Sequence, residues 1–401
     1  MSDYFCDTVH LALREEVRRF AEDEIRPRVR SMEERREVDV AASRLIAARG
    51  WIGVTIPRRY GGIELGHLAK TLVIEELSRV SGAMGAMVQA SQLGVAKVLH
   101  FGNERQQRYW LPRFASGEAL PTIAVTEPGS GGHVLGMECS AVRDGDSYVL
   151  NGRKCFVGNS HIGDVHGVVA RTGPGSRGLT AVLVERGRDG VRLGSQGTPA
   201  GLHGFSYGDL IFEDCRVPVE NRIGAEGQGL DVAYSSSTLY GRPNLTAVAL
   251  GIHQAIVDDT MRFCGARELY GEPLAKLPTV ALKLGEMASR LMTARLAAYH
   301  AVHVLDRGGA CDAELMNAKL LNTELALTSA RVALEIFAAR GCQSEYDVER
   351  YLRDVIHTFP AAGTSDVQRL RLAEVALGEY RGDWSSRLGA SEGACATPLA
   401  A

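Results

Sequence analysis

A glycine-rich loop at residues 124–132, AVTEPGSGG, holds the residues with the clearest chemical use in this sequence. Pro128 fixes one backbone angle in a turn, and Gly129, Gly131 and Gly132 let several backbone N–H groups converge on one point. Converging N–H groups bind an anion such as a diphosphate, or the polar edge of an aromatic cofactor. The glycines alone favour an ordinary hairpin loop, whereas the whole string favours a ligand-binding loop.

Two arginines are candidates for binding an anionic group. Arg267 precedes the string ELYGEPL, and its planar guanidinium matches the oxygens of a phosphate. Arg242 follows Tyr240 and Gly241, and it suits a substrate carbonyl or an acidic substrate group. The alternative for Arg267 is a solvated helix end, and Arg242 is equally suited to an ion pair that stabilises a helix.

The elements that must position these residues fall into zones of different periodicity. Apolar residues at helical spacing occupy the first zone, and short alternating runs rich in Gly, Val and Thr occupy the second, with a hairpin turn expected at Asn151-Gly152. The third zone contains long apolar-periodic segments at 281–305 and 313–340. The predicted fold class is therefore α+β and mostly α. The predicted segments are an N-terminal helical domain (1–118), a middle β domain (119–227), a C-terminal helical bundle (228–382) and a flexible tail (383–401).

Taken together, these motifs resemble those of the acyl-CoA dehydrogenase family. The family shares a TEPG-type loop, an aromatic–aliphatic pair that follows a Lys (here Lys154, Phe156 and Val157), and the string R-x-x-F-G-x-P-L, which begins here at Arg267. The resemblance extends over about residues 10–380. It implies a middle β-barrel-like domain, a C-terminal four-helix bundle and FAD as the cofactor. It also implies a homodimer or homotetramer in which FAD contacts cross the subunit interface.

By this resemblance, the cofactor site is formed by residues from all the matched segments. They are Val125, Thr126, Gly131, Gly132, Phe156, Val157, Gly158, Arg267, Tyr270, Glu335, Ala339, Thr364 and Asp366. Two positions depart from the family's pattern. Gly158 replaces the usual Thr or Ser, so it supplies no side-chain hydrogen bond to the flavin, although it could equally do no more than end a strand. Ala338-Ala339 replaces a Gly-Gly pair and adds methyl groups where the family's backbone approaches the cofactor.

The family's catalytic glutamate is missing from the matching position. The family has E-G-T-S here, in which Glu removes the α-proton of an acyl thioester, and this chain has Ala362 followed by Gly-Thr-Ser. Some members place the base immediately before the arginine that matches Arg242, and that residue here is Gly241. The remaining candidates for a base are Tyr240, His357 and Asp366, and the residues expected at the substrate are Arg242, Tyr240 and Gly363.

These features lead to one main hypothesis and two alternatives. The first is an FAD-dependent oxidoreductase that acts on an acyl thioester, carried on CoA or on an acyl carrier protein, with non-standard chemistry because of Ala362. The second is an oxygen-using flavin monooxygenase or oxidase of the same fold, consistent with Gly158. The third is a non-catalytic homologue that binds flavin or an acyl group. Gly132-His133, in place of the usual Ser-Asp, suggests a carrier-bound substrate from specialised metabolism.

Composition and charge argue against several other classes of function and location. The net charge of -3 and pI near 6.4 give no reason to expect nucleic-acid binding. The sequence contains no run of eighteen apolar residues and no apolar export signal, so neither a membrane partner nor secretion is expected. The 8 cysteines form no C-x-x-C pair. We therefore expect no metal site, and a reducing cytoplasm is the simplest location.

Overall fold

The computed structural model describes residues 4–388. The N-terminal domain is built around two almost entirely buried helices, α4 and α5, which explains why their sequences carry apolar or small residues on every side. A capping box between Asn103 and Gln106 starts the last helix of the domain. The helices are α1 (Thr8–Phe20), α2 (Arg26–Arg35), α3 (Val40–Ala48), α4 (Gly66–Val80), α5 (Gly82–Phe101) and α6 (Glu104–Ala115).

The middle domain is one 8-stranded sheet that is mostly antiparallel. Its strands are β1 (Pro121–Ala124), β2 (Ser140–Asp144), β3 (Ser147–Gly158), β4 (Val165–Arg171), β5 (Leu179–Glu185), β6 (Val191–Gln196), β7 (Tyr207–Pro218) and β8 (Arg222–Ile223). They run in the order β6-β7-β3-β2-β4-β5-β8, with β1 paired to β4 in parallel. Almost every residue of β4 and β5 is buried, which matches their nearly continuous apolar sequences.

The hairpin turn expected at Asn151-Gly152 was wrong. Strand β3 runs straight through both residues, and the turn from β2 instead uses Gly145, because Asp144 pairs with Ser147. The register between β3 and β7 shifts at Gly152, whose φ of 140° marks a bulge. A bulge and a tight turn both select Asn and Gly, so the dipeptide could not distinguish them.

The C-terminal domain is helical, as expected. The two long apolar segments form α9 and α10, and α8 is buried between α4 and α10. The elements are α7 (Gly229–Ser236), α8 (Arg242–Ala266), a hairpin of β9 (Glu268–Leu269) and β10 (Glu272–Pro273), α9 (Pro278–Asp306), α10 (Asp312–Phe337), α11 (Val348–Ile356), α12 (Ser365–Ala376) and α13 (Trp384–Leu388). The predicted α+β fold, with helical outer domains and a middle sheet, is confirmed.

The first residues of the predicted flexible tail are ordered. The backbone N–H groups of Trp384 and Ser385 donate to the Asp312 carboxylate at 2.9 and 2.8 Å, and the Cys311 N–H donates to Ser385 Oγ at 2.8 Å. These bonds attach α13 to the start of α10. The remainder of the predicted tail, residues 389–401, lies outside the described residues.

One carboxylate of the helical bundle caps a helix of the N-terminal domain. Asp306, at the end of α9, accepts hydrogen bonds from the backbone N–H groups of His67 at 2.6 Å and Leu68 at 2.8 Å. These are two of the unpaired donors at the start of α4, whose own N-cap residue, Leu65, offers no side-chain acceptor. Gly66 permits the approach, because a Cβ there would lie 2.6 Å from Asp306 Oδ1.

Asp306→Ala should lower the free energy of unfolding by about 1–3 kcal/mol, because it leaves buried N–H groups without an acceptor. Chemical denaturation at neutral pH would measure the change. As a control, Asp23→Ala alters an exposed carboxylate and should change stability by no more than about 0.5 kcal/mol. Equal effects of the two substitutions would contradict the capping role.

Candidate functional site

A buried ion pair fixes the backbone of the glycine-rich loop. Lys154 Nζ lies 2.6 Å from Glu127 Oε1 and donates to the Val125 carbonyl at 2.9 Å. The Glu127 carboxylate also accepts the backbone N–H groups of Glu138 and Cys139. Both charged side chains are almost fully buried. The ion pair and these hydrogen bonds therefore anchor the loop to β3.

The loop glycines face open space. A Cβ built on Gly129, Gly131 or Gly132 would meet no atom within 4 Å, so packing within the chain does not require glycine at these positions. The Thr126 carbonyl accepts the Cys155 N–H at 2.9 Å, which places the loop beside the end of β3. An open, preorganised backbone is what a diphosphate or flavin would need here.

The end of β3 supplies an aromatic surface next to this loop. Phe156 has a φ of +55°, is 60% exposed, and stacks on Tyr207 with ring centroids 5.6 Å apart. Tyr207 in turn stacks on Phe205 at 6.3 Å. Phe156 could be predicted from the sequence, whereas Tyr207 and Phe205 could not, because they lie about fifty residues later and carry no motif.

Packing accounts for Gly158. A Cβ at this position would lie 2.9 Å from Ala90 Cβ and 3.0 Å from Phe205 Cζ. The Thr or Ser that the family has here would therefore force α5 or Phe205 to move. Gly158 does end β3, and it also fits against two neighbours that occupy the space of a side chain, whereas the adjacent Val157 is simply buried.

The two positions that the resemblance gives to a catalytic base face each other. Gly241 ends a π-helical turn (Ser237–Gly241) at the start of α8, and Ala362 lies in the loop between α11 and α12 with a φ of +54°. A Cβ built on Gly241 would lie 3.1 Å from the Ala362 Cβ and 3.7 Å from Leu93 Cδ2. Neither residue carries a group that can accept a proton.

Arg242 holds the backbone of the Ala362 loop through one intermediary. Its Nε donates to Gln368 Oε1 at 3.0 Å and its Nη1 to Thr238 Oγ1 at 2.5 Å. Gln368 Nε2 then donates to the carbonyls of Ala362 at 2.9 Å and Gly363 at 3.0 Å. Burial lowers the pKa of Arg242, although a guanidinium remains charged at neutral pH.

A second buried cation supports the same loop. Lys319 Nζ donates to the Phe359 carbonyl at 2.7 Å and to the Gly363 carbonyl at 2.8 Å. Burial, with the nearby charge of Arg242, lowers the pKa of Lys319 to about 8. Neither Lys319 nor Gln368 was found from the sequence, because both act through contacts between distant helices.

Tyr240, proposed as a base and as a substrate contact, lies in a different polar cluster. Its Oη is 3.1 Å from His100 Nε2, and Lys70 Nζ lies 4.3 Å from the centre of its ring. Burial raises the pKa of Tyr240 well above its ordinary value, and burial lowers the pKa of Lys70 to about 7. A raised pKa keeps Tyr240 in its neutral phenol form at neutral pH, where it has no phenolate to accept a proton, so the structure gives no support to its role as a base.

The other two candidate bases have different partners. His357 Nε2 accepts the backbone N–H of Gly201 at 3.0 Å, and burial lowers the pKa of this histidine. The Asp366 side chain is 88% exposed in the first turn of α12 and forms an ion pair with Arg369 at 3.1 Å. Neither of these contacts involves Gly241 or Ala362. Thr364, beside them, caps α12 by accepting the Val367 N–H at 3.4 Å.

The remaining expected cofactor residues lie on the surface at the far end of the long helices. Arg267 and Tyr270 are exposed in the β9–β10 hairpin, and Glu335 is exposed and pairs with Lys283 at 2.8 Å. Ala339 is exposed just beyond α10. Because α8 has 25 residues, Arg267 is about 37 Å from the Gly241 end of that helix. Arg267 is therefore too distant to serve the Gly241–Ala362 site of its own chain.

Ala338→Gly should raise the free energy of unfolding by about 1 kcal/mol. Ala338 has φ 51° and ψ −135°, a conformation that glycine adopts without steric cost and that strains other residues. Thermal or chemical denaturation would measure the gain. The adjacent Ala339 has no positive φ, so Ala339→Gly should be neutral or destabilising. A loss of stability in Ala338→Gly would contradict the strain.

Three family descriptions match almost the whole chain. The acyl-CoA dehydrogenase N-terminal domain matches residues 7–118, the middle domain matches 122–215, and the C-terminal domain matches 227–377. A relative described as an acyl-CoA dehydrogenase from Bacillus subtilis is 34% identical over 369 residues, which cover 91% of this chain and 97% of the relative.

Two solved structures are also similar to this chain over almost its whole length. The prolyl acyl carrier protein oxidase AnaB superposes with a TM-score of 0.88 at 28% identity, covering 92% of this chain and 99% of AnaB. The FAD complex of PigA superposes with a TM-score of 0.88 at 26% identity, covering 93% of this chain and 98% of PigA. No helix within residues 4–388 is both long and apolar enough to cross a membrane.

Proposed function

Because this chain belongs to the acyl-CoA dehydrogenase family, we propose that it is an FAD-dependent oxidoreductase that acts on an acyl thioester without a glutamate base. The observation that carries this proposal is the contact between Gly241 and Ala362. Hydrogen bonds from Arg242 through Gln368, and from Lys319, fix the backbone beside Ala362, and we call this surface the Gly241–Ala362 wall. These contacts support a site at the place where the family resemblance puts the catalytic base, and both residues there lack a group that can accept a proton.

The residues of the glycine-rich loop fit FAD. The open faces of Gly129, Gly131 and Gly132 and the exposed Phe156 ring leave room for a diphosphate and a flat ring system. When bound, FAD would supply the two-electron acceptor for the oxidation. The protein's part is to hold the cofactor with loop N–H groups, and Arg242 fixes the backbone against which the acyl group would lie. The FAD complex of PigA supports this choice of cofactor.

The test begins with the absorbance spectrum of the purified protein. A flavin spectrum, as isolated or after addition of FAD, is expected. Anaerobic titration with acyl-CoA and with acylated carrier protein then asks which thioester bleaches the flavin. The similarity to AnaB supports the carrier-protein alternative. Protein that stays colourless with added FAD would rule out this function and leave the alternative of a non-catalytic homologue.

An oxygen-using monooxygenase or oxidase is the second candidate. The observation in its favour is that Ala90 and Phe205 crowd the Cβ that a Thr or Ser at position 158 would need to carry a hydroxyl. For an oxidase, an acyl thioester should bleach the flavin without oxygen, and added oxygen should restore the flavin and form hydrogen peroxide. For a monooxygenase, acyl thioesters should leave the flavin oxidised under anaerobic conditions. Reduction by NAD(P)H with a reductase, followed by oxygen, would then form product.

We also propose that the active unit is a homodimer or homotetramer. The separation of about 37 Å between the two ends of α8 supports it, because Arg267, Tyr270 and Glu335 would then be available to the cofactor of another subunit. Arg267→Gln is expected to weaken FAD binding. Mixing that variant with a second variant defective near Phe156 should restore FAD binding in part if the contacts cross between subunits.

A further inference from the structure

Two buried cations beside Ala362 have no carboxylate in contact. Arg242 donates to the neutral side chains of Gln368 and Thr238, and Lys319 donates only to backbone carbonyls. Within residues 4–388, no Asp or Glu oxygen lies within 4.0 Å of either cationic group. A buried charge that is hydrogen-bonded but not paired is costly, and it attracts any anion that can reach it.

The nearest acidic residues are already engaged elsewhere. Burial lowers the pKa of Arg242, and the attraction of Tyr380 and Asp312 offsets part of that shift, but the Asp312 carboxylate accepts hydrogen bonds from Tyr380 Oη and from two backbone N–H groups of α13. Glu324 forms an ion pair with Arg369 on the exposed side of α10. The carboxylates of Asp312 and Glu324 therefore offset part of the positive charge from a distance. Their existing partners keep both of them from contacting Arg242.

Gly241 and Ala362, the two positions that lack a carboxylate, both adjoin the buried charge of Arg242. Gln368 links the Arg242 guanidinium to the Ala362 carbonyl, and Gly241 is the residue immediately before Arg242. A glutamate at either position would bring a negative charge to this wall. Ala362 is partly exposed, so a bound molecule can reach it.

We propose that this wall is an anion subsite, and that the substrate is an acyl thioester whose acyl group carries a second carboxylate. The substrate carboxylate supplies the negative charge that Gly241 and Ala362 do not, and the Arg242 guanidinium is its partner. This inference rests on the proposed function, because it assumes that an acyl thioester binds against the surface formed by Gly241 and Ala362.

Binding of a matched pair of thioesters tests the proposal. Succinyl and butyryl groups have the same length and differ in a carboxylate that replaces a methyl group. Each is presented to the FAD-loaded protein under anaerobic conditions, both on CoA and on a phosphopantetheinylated carrier protein. Affinity is measured by titration calorimetry. Succinyl should bind on the order of tenfold more tightly than butyryl, since a hydrogen bond between charged groups is the stronger kind.

Two variants identify the residues responsible. Ala362→Glu places a carboxylate beside Arg242 and should remove the preference for succinyl, whereas the neutral Ala362→Gln should retain it. Arg242→Gln should also remove the preference, and Ala362→Glu keeps the proposal testable if that variant fails to fold. Equal affinities for succinyl and butyryl would overturn this inference alone. If neither acyl group binds on either carrier, the proposed function itself fails.

Discussion

Ala362→Glu is expected to raise the rate of α,β-dehydrogenation of an ordinary acyl thioester by about two to four powers of ten. The α-proton of a thioester is too weakly acidic to leave without a positioned acceptor, and neither Ala362 nor Gly241 provides one. The Ala362 Cβ already lies next to Gly241, so a glutamate side chain at position 362 would extend from the surface that we expect the acyl group to contact. The measurement is the single-turnover rate at which butyryl-CoA bleaches the bound flavin without oxygen.

Ala362→Gln is the matched control, because it has nearly the same shape and cannot take a proton at neutral pH. It should show no gain over the parent protein. If Ala362→Glu binds FAD and also shows no gain, the site does not present the acyl α-carbon to this wall, and acyl-thioester oxidation would have to be abandoned.

Lys154→Met should lower the free energy of unfolding by about 3–5 kcal/mol, because it leaves the Glu127 carboxylate buried without its cation. The same change should weaken FAD binding, since Lys154 also holds the Val125 carbonyl at the start of the glycine-rich loop. Denaturation of the FAD-free protein and titration with FAD measure the two effects separately.

Two controls accompany this experiment. The double variant Lys154→Met/Glu127→Gln removes the uncompensated charge and should recover part of the lost stability. Arg192→Met breaks an exposed ion pair with Glu213 on the same sheet and should cost no more than about 1 kcal/mol. A loss for Lys154→Met no larger than that for Arg192→Met would show that burial of the pair contributes nothing.

The order of the domains could be predicted because each has a local signature. Helical periodicity in α1 and α10 and the short apolar runs of β4 and β5 depend only on neighbours in the sequence. The turn predicted at Asn151-Gly152 was wrong for the same reason, since a turn and a bulge have the same local preference for Asn and Gly. Only the pairing of β3 with β7, more than fifty residues apart, decides between them.

The candidate site was predictable where a motif is contiguous and not where it depends on packing. Residues of the TEPG loop and Ala362 were located by short strings. Gln368 and Lys319 were not, since their contacts cross between helices. The role of Tyr240 stays a prediction, and its contact with His100 joins elements 140 positions apart, so no short string could indicate it.

The carboxylate of Asp306 that caps α4 also sets an order of events during synthesis. It is separated from its partner His67 by 239 positions in the chain. At a translation rate of about 5–20 residues per second, α4 would leave the ribosome roughly 12–48 seconds before its cap is made. During that interval, the first backbone N–H groups of α4 lack the Asp306 carboxylate as an acceptor. We therefore expect its nascent chain to gain protease resistance in a late step, once α9 has emerged.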